Sequence, residues 1–352
     1  SIIDLSEAAG QPLFNETGSI ALVFNGEIYN FQALQDYLET KGHRFRCRSD
    51  SEVIVHAYEE FGVDCLQQFR GMFAFALWDQ EHRRLFAARD RLGKKPFFYC
   101  RHGGNFSFGS EIKAILALPG VPRHLDWESL GFYLSLNYTP APFTLFQGIR
   151  QLQPGQYLLW EDGRLTIKEY WDLAFPPVAV AVSPARVLAD FTDLWQEAVR
   201  LRLISDVPVG AFLSGGLDSA AVVTTAASQY PGRLKTFSIG FGEKSYDERA
   251  YARLVAQRYR SEHHELLVTP QVVDILPRLV WHGEEPTADS SMVPVYYLAQ
   301  FAAQEVKVVL TGDGADEILA GYPTYQAYYV VRRLQSLPRS VRRGLFRLAQ
   351  AL

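Results

Sequence analysis

The stretch Val209–Val223, VGAFLSGGLDSAAVV, sets two glycines and two serines between an apolar run and a small-residue run with helical character. A strand that stops at Ser214–Gly216 and restarts as a helix explains that order, because glycine allows both the sharp bend and the close approach of backbone to a ligand. Outward from this turn the chain alternates. A helix over ARVLADFTDLWQEAVRLRL precedes it, and strands at LKTFSIGF, HHELLV and VKVVL follow with helices between them. Such alternation predicts an α/β region with a parallel sheet covered on both faces.

In a sheet of that kind ligands sit beyond the carboxyl ends of the strands, where backbone N–H groups and a helix N-terminus converge on one point and suit phosphate. Ser214 and Ser219 add hydroxyls, Gly215 and Gly216 the close approach, and Asp218 a carboxylate. A carboxylate beside phosphates calls for Mg²⁺ between them. The Gly-Lys-Ser/Thr ending of the common nucleotide loop is missing, so cleavage between the α- and β-phosphates with release of pyrophosphate is the expectation. The competing reading is a plain helix entry in which Ser and Asp act as caps. A second strand-to-helix turn, VVLTGDGADE, carries two more glycines with Asp313, Asp316 and Glu317, and two such turns facing one crevice could hold a nucleotide and Mg²⁺ together. Acids complementing a helix dipole would explain one or two of these carboxylates but not the paired glycines.

The first half has a different grammar. SIALVF reads as a buried strand, FQALQDYLETKG as a helix capped by Asn30 and closed by Gly42, and SEVIVHAYEEFG as a helix closed by Gly62. MFAFALWDQEHRRLFAARD and KPFFYCRHGGNFSFGS read as two strand pairs, and a further short-strand region with turns at Pro154–Gly155 and Asp162–Gly163 runs to Trp171. Clustered strands and clustered helices predict α+β. The uncharged FPPVAVAVSP, Phe175–Pro184, is a linker, which divides the chain into residues 1–174, 175–184 and 185–352. In FNGEIYN the Asn-Gly pair suggests a hairpin, but helical periodicity follows, so Asn25 and Gly26 are expected at a strand-to-helix connection, facing a pocket. Asp50 could equally be the N-cap of the helix that starts near Glu52.

Composition excludes several classes. The chain has 352 residues and a net charge of −4, which gives no footprint for nucleic acid or an anionic membrane. Cys47, Cys65 and Cys100 are odd in number and far apart, so neither a disulfide framework nor a zinc ribbon is indicated and a reducing, cytoplasmic setting is expected. No run of about 18 apolar residues is present, so no membrane span is expected. His263–His264 reads as a strand edge rather than a metal site, since neighbours on a strand point to opposite faces. The arginines of RRLQSLPRSVRRGLFR read as a solvated face interrupted by Pro338.

SGGLDS and LTGDGADE, taken with FNGEIYN, RSDSEVI, GMFAFALWD and ARDRLGKKPFFY in that family's order, resemble the glutamine-hydrolysing asparagine synthetases over essentially the whole chain. The resemblance implies an N-terminal-nucleophile glutaminase domain followed by an ATP-pyrophosphatase synthetase domain, with ammonia passing between them. It implies that Asn25 and Gly26 form an oxyanion hole, that Glu27 and Asp50 hold the glutamine α-ammonium, and that Asp313 joins Asn25 and Gly26 among the catalytic residues. ATP would lie on Leu213, Ser214, Gly215, Gly216, Asp218, Ser219, Ile239, Thr311 and Gly312, with Mg²⁺ on Asp218 and Asp316. EEPTADSSMVP, Glu284–Pro294, would face the acid being activated, with helix capping as the other role for Ser290 and Ser291. The implied substrates are glutamine, aspartate and ATP, the product asparagine by way of a β-aspartyl-AMP, and the assembly a homodimer. The family's nucleophile is a terminal cysteine, which this chain lacks. Ser1 is not its substitute, because SIIDLS matches an interior stretch, so sequence is expected upstream, and a lysine of the synthetase site beyond Leu352. Relatives that adenylate another carboxylate to form a different amide or a β-lactam, and a non-catalytic glutamine- or nucleotide-binding module, are the other readings.

Overall fold

Strand β3, Gly71–Asp79, shows how the first half is layered. Phe73, Phe75 and Leu77 point to one side, while Ala74 and Ala76 point to the other. The bulky side packs under two helices, α1 (Phe31–Thr40) and α2 (Glu52–Phe61), and the alanine side lets a second sheet come close. The computed structural model describes residues 2–175, 182–242, 248–269 and 272–343. Ser1, most of the expected linker (176–181) and the end of the arginine-rich tail lie outside the described residues.

Six antiparallel strands form the main sheet in the order β1-β2-β3-β4-β8-β9. These are β1 (Leu13–Phe14), β2 (Ile20–Ile28), β3, β4 (Arg84–Arg89), β8 (Gln156–Glu161) and β9 (Arg164–Glu169). The covering sheet has the order β6-β5-β7, from β5 (Phe98–His102), β6 (Asn105–Gly109) and β7 (Ile149–Gln151). Its side chains Phe97, Tyr99, Phe106 and Phe108 fill the narrow gap left over Ala74, Ala76 and Ala87. The expected α+β arrangement of strands and helices is present.

Two expectations fail here. The region expected to hold only short strands contains α3 (Ile112–Leu116) and α4 (Trp127–Leu136). Helix α4, WESLGFYLSL, has no apolar stripe and is rich in aromatic residues that favour strands, with Ser129 its one buried residue. What makes it helical is local: the Asp126 carboxylate accepts from the Ser129 N–H at 3.0 Å, and Asn137 ends the helix in the left-handed conformation. Asn30, expected to cap α1, does not. Its amide instead accepts from Arg70 N–H and donates to Gln68 O, both at 2.9 Å, which pins the entry to β3.

The second half is a four-stranded parallel sheet in the order β12-β11-β10-β13. Its strands are β10 (Val209–Phe212), β11 (Lys235–Phe241), β12 (Glu262–Val268) and β13 (Val308–Leu310). Helices α5 (Pro184–Arg202), α6 (Leu217–Gln229) and α7 (Arg249–Arg258) cover one face through Val199, Val222, Val223 and Ala252. On the other face α9 (Met292–Ala302), preceded by α8 (Val272–Gly283), buries Phe301 and Ala302 against Phe237. Strand order reverses at β10, with β11 on one side and β13 on the other. That is the switch point at which open α/β sheets bind ligands. His263 and His264 lie on the edge strand β12 and face apart, His263 to Thr236 Oγ1 at 2.9 Å and His264 stacked on Phe237. Among the described residues no helix is long and apolar enough to cross a membrane.

Candidate functional site

Asn25, Gly26 and Glu27 lie inside β2, not at a strand-to-helix connection as expected. The strand continues to Ile28 because β3 pairs with it as far as Gly71, a tertiary contact that FNGEIYN cannot announce. This placement has a consequence for the backbone. Alternate residues of a strand present their N–H and C=O to the same edge, and beyond β1 that edge of β2 has no neighbouring strand. Phe24 N–H donates to Gln11 Oε1 at 2.7 Å and Ile28 N–H to Asp50 Oδ2 at 2.7 Å, so side chains cover the positions on either side of Gly26. Gly26 N–H lies on the same open edge between them. A Cβ at Gly26 would sit 2.2 Å from Met72 O and 2.7 Å from Phe73 Cα, so only glycine lets β2 and β3 meet here. Asn25 faces the other way in register, into a cavity of about 290 Å³ lined by Ala74, Phe97, Gly109 and Ser110, and its amide donates to Ser110 Oγ at 3.3 Å.

Asp50 is not a helix cap. Ser51 precedes α2 without a side-chain cap, and the Asp50 carboxylate is spent on the end of β2. It is buried beside Glu27. Burial, and then the Asp50 charge, push the Glu27 carboxyl up to about 8; burial pushes Asp50 up to about 6 against the N–H donors around it. Two crowded carboxylates with raised proton affinity form a site that gains from an incoming cation.

The loop Leu213–Ser219 is closed on itself. Ser214 N–H donates to Ser219 Oγ at 3.2 Å, the two hydroxyls are 3.0 Å apart, and Gly216 N–H donates to Ser214 Oγ at 3.2 Å. Gly215 has φ +98°, and a Cβ there would lie 2.6 Å from Glu248 O. Asp218 stands in the first turn of α6, whose N-cap is Gly216, so Asp218 is not the capping residue. The second turn reaches the first: a Cβ on Gly312 would be 2.9 Å from Ser219 N and 3.0 Å from Asp218 Cβ. Thr311, Asp313 and Asp316 are therefore carried to the edge of the same loop, Asp316 in the first turn of α10 (Ala315–Leu319) with its carboxylate against Gly321. Ile239 lies toward the carboxyl end of β11, the strand on the other side of β10. Hard oxygen donors of this kind, on two turns in contact, fit Mg²⁺ in chemistry.

Sequence reasoning missed the residues that join the halves. Glu284 pairs with Lys113 and also accepts from its backbone N–H at 3.0 Å, while Glu285 accepts from Leu145 N–H. Ala288 N–H donates to Asn137 O at 3.1 Å. The front of EEPTADSSMVP is thus held by the first half. Burial, opposed by the Leu145 N–H, takes the Glu285 carboxyl up to about 7. Ser291 precedes α9 without a side-chain cap. On another side Arg70 forms a two-pronged pair with Glu197, at 2.7 and 3.1 Å, and the Arg202 guanidinium lies 4.7 Å over the Tyr29 ring. Crowding by protein and by Arg202 lowers the Lys94 ammonium, with Asp90 and Asp313 acting in the opposite sense, so the loop after β4 comes within electrostatic range of the turn that carries Asp313.

A strand-edge pocket with the Gly26 N–H on its open edge and a pair of crowded carboxylates, joined to a parallel sheet with a glycine-serine loop at its switch point, fits an amidotransferase-type half coupled to a nucleotide-type half. Family models agree: one described as "Glutamine amidotransferase domain" matches residues 1–171, and one described as "Asparagine synthase" matches residues 190–351. The chain is 35% identical over 354 residues to asparagine synthetase (glutamine-hydrolyzing) 1 of Bacillus subtilis, covering 100% of this chain and 55% of that protein. To putative asparagine synthetase (glutamine-hydrolyzing) 2 of Methanocaldococcus jannaschii it is 34% identical, covering 97% of this chain and 69% of that one. To the putative enzyme of Mycobacterium tuberculosis it is 37% identical, covering 100% and 56%. The chain belongs to the glutamine-hydrolysing asparagine synthetase family. It spans little more than half the length of the Bacillus and Mycobacterium relatives.

Proposed function

We propose that the protein makes asparagine from aspartate and ATP, with nitrogen from glutamine. The observation that carries this reading is the contact of Gly312 with the first turn of α6, which brings the serine-glycine loop against the turn that carries Asp313, Asp316 and Glu317. Backbone N–H groups of residues 215–219 and the hydroxyls of Ser214 and Ser219 would hold the pyrophosphate, and Leu213, Ile239, Thr311 and Gly312 the nucleoside. Asp218 and Asp316 would hold Mg²⁺, which neutralises phosphate charge as the leaving group departs. A β-carboxylate oxygen of aspartate then attacks the α-phosphorus and the bond to pyrophosphate breaks. Ammonia attacks the activated carbonyl carbon and AMP leaves with the bonding pair, and Asp313 would accept a proton from the incoming nitrogen.

In the first half, Gly26 N–H and the Asn25 amide would stabilise the tetrahedral oxyanion of glutamine hydrolysis, each donor worth about 2.7–4 kcal/mol of barrier. Glu27 and Asp50 would receive the α-ammonium. The division at 1–174, 175–184 and 185–352, and a cytoplasmic homodimer, belong to the same reading; the three cysteines, all buried and unpaired, suit a reducing compartment.

The test supplies ammonium salt, so that synthesis does not depend on glutamine hydrolysis. Full-length protein with ATP, Mg²⁺ and aspartate should release AMP and pyrophosphate. Asp218→Asn and Asp316→Asn should each abolish this, with the double variant little worse than either single one. Release with another acid and none with aspartate would overturn the substrate, and activity retained in Asp218→Asn would overturn the site.

A further inference from the structure

On the outer side of α2, away from the residues assigned to glutamine and nucleotide, four side chains converge from three segments. Glu16 comes from the turn after β1, His43 from the connection between α1 and α2, and His56 and Glu59 from successive turns of α2. One donor atom from each lies within 4.8 Å of the other three. His56 Nδ1 is 2.9 Å from Glu59 Oε2 and 3.7 Å from Glu16 Oε2, and His43 Nδ1 is 3.6 Å from the same Glu59 oxygen.

The far side of both carboxylates is also occupied. Glu16 Oε1 accepts from Arg44 N–H at 2.9 Å, and Glu59 Oε1 from the Asn15 amide at 2.8 Å. His43 Nε2 is 3.9 Å from Glu60 Oε2. His56 is fully buried, and its Nε2 lies 3.7 Å from the buried Glu52 carboxylate without a hydrogen-bond partner among the described residues. Outer carboxylate oxygens fixed in this way turn the inner oxygens of Glu16 and Glu59 toward the two imidazoles, as the outer partners of metal-bound carboxylates do.

We propose that Glu16, His43, His56 and Glu59 bind one borderline first-row divalent cation, Zn²⁺ foremost, which clamps the loop 14–19 and the connection 41–47 onto α2. Two imidazoles and two carboxylates balance the ion's charge and match its preference for four nitrogen and oxygen ligands. Tetrahedral Zn²⁺ places its ligand atoms about 3.3–3.5 Å apart, so side-chain rotations suffice to bring these groups into range. The competitor is a proton. Burial opposes charge on His56, but the Glu59 carboxylate at 2.9 Å and the nearby Glu52 and Glu16 carboxylates favour it, so the ion must displace a proton and binds more tightly as pH rises.

Full-length protein stripped with chelator, free of nucleotide, is titrated with ZnCl₂ by calorimetry and with CoCl₂ by visible absorption. The expected result is one Zn²⁺ per chain with micromolar or tighter affinity, and the strong visible bands of four-coordinate Co²⁺. The double variant Glu16→Gln/His43→Ala, both outside the packed core, should weaken binding by at least about 10-fold. It should lose the Co²⁺ bands and keep ammonium-dependent activity. If the double variant does not fold, Glu16→Gln alone serves, with the same loss of Co²⁺ bands expected. Zn²⁺ affinity unchanged in the variant would overturn the proposal, because the ion would then sit elsewhere. Absence of Zn²⁺ binding to the parent protein would overturn it as well and leave the proton as occupant.

Discussion

Glu27 is held in the free fold at a cost that grows with pH. Its carboxyl is raised from 4.5 to about 8 by burial and by Asp50. A group whose pKa is raised on folding stabilises the native state at low pH, and that contribution is lost as pH climbs through the folded-state value. Glu27→Gln should therefore melt higher than the parent protein at about pH 9, with the gap closing near pH 5. Calorimetry at the two pH values reads this directly. The same change should cost glutamine affinity about 2 kcal/mol or more, since an α-ammonium would lose half of its paired site. A variant no more stable at high pH, yet still impaired for glutamine, would mean that Glu27 is already neutralised by a protein cation.

At the scale of elements, turn geometry rather than side-chain chemistry carries the nucleotide edge. Gly215 and Gly232 both have positive φ, +98° and +105°, but only Gly215 is crowded, with Glu248 O in the path of a Cβ. Gly232→Ala should cost about 1–2 kcal/mol for the left-handed backbone alone. Gly215→Ala should cost a further 1–3 kcal/mol or so from overpacking, and should remove AMP formation as well. Urea unfolding of the two variants separates these contributions. Equal losses would show that the loop yields easily and that α7 does not brace it. The parallel sheet that holds β10, β11 and β13 was legible from the alternation of strands with helices, and so were both turns, because each lies between a short apolar run and a helical one. Helix α4 was not, since its ten residues carry no apolar stripe and its start is set by the cap at Asp126.

Across the whole molecule the halves are held by unequal contacts. Arg70–Glu197 is an exposed pair and should contribute under about 1 kcal/mol. Lys113 and Glu284 are more enclosed, with side chains 22% and 10% exposed, and Glu285 lies next to them. Lys113→Met would leave a carboxylate without its counter-charge and should cost about 1–3 kcal/mol. Arg70→Met is the comparison. If the contact also orders the segment facing the activated acid, Lys113→Met should raise the ratio of glutamate released to asparagine formed, and Arg70→Met should not. An unchanged ratio in Lys113→Met would reduce this contact to a structural tie.

Adjacent residues determined a good deal of this protein. The period of apolar positions and the placement of glycine and proline act over a few residues, so the α+β and α/β characters of the halves, the SGGLDS and TGDGADE turns and the edge position of His263–His264 could be read from the chain. Tertiary structure alone decided where partners distant in sequence would meet. Asn25 and Gly26 became strand because β3 pairs with β2, and Asp50 became a tie to Ile28 instead of a cap. Lys113 found Glu284 across 171 residues, and Glu16, His43, His56 and Glu59 gathered from three segments. Local pattern carries no record of such meetings. They depend on packing, in which a side chain's neighbour is set by the layer it faces and not by its distance along the chain.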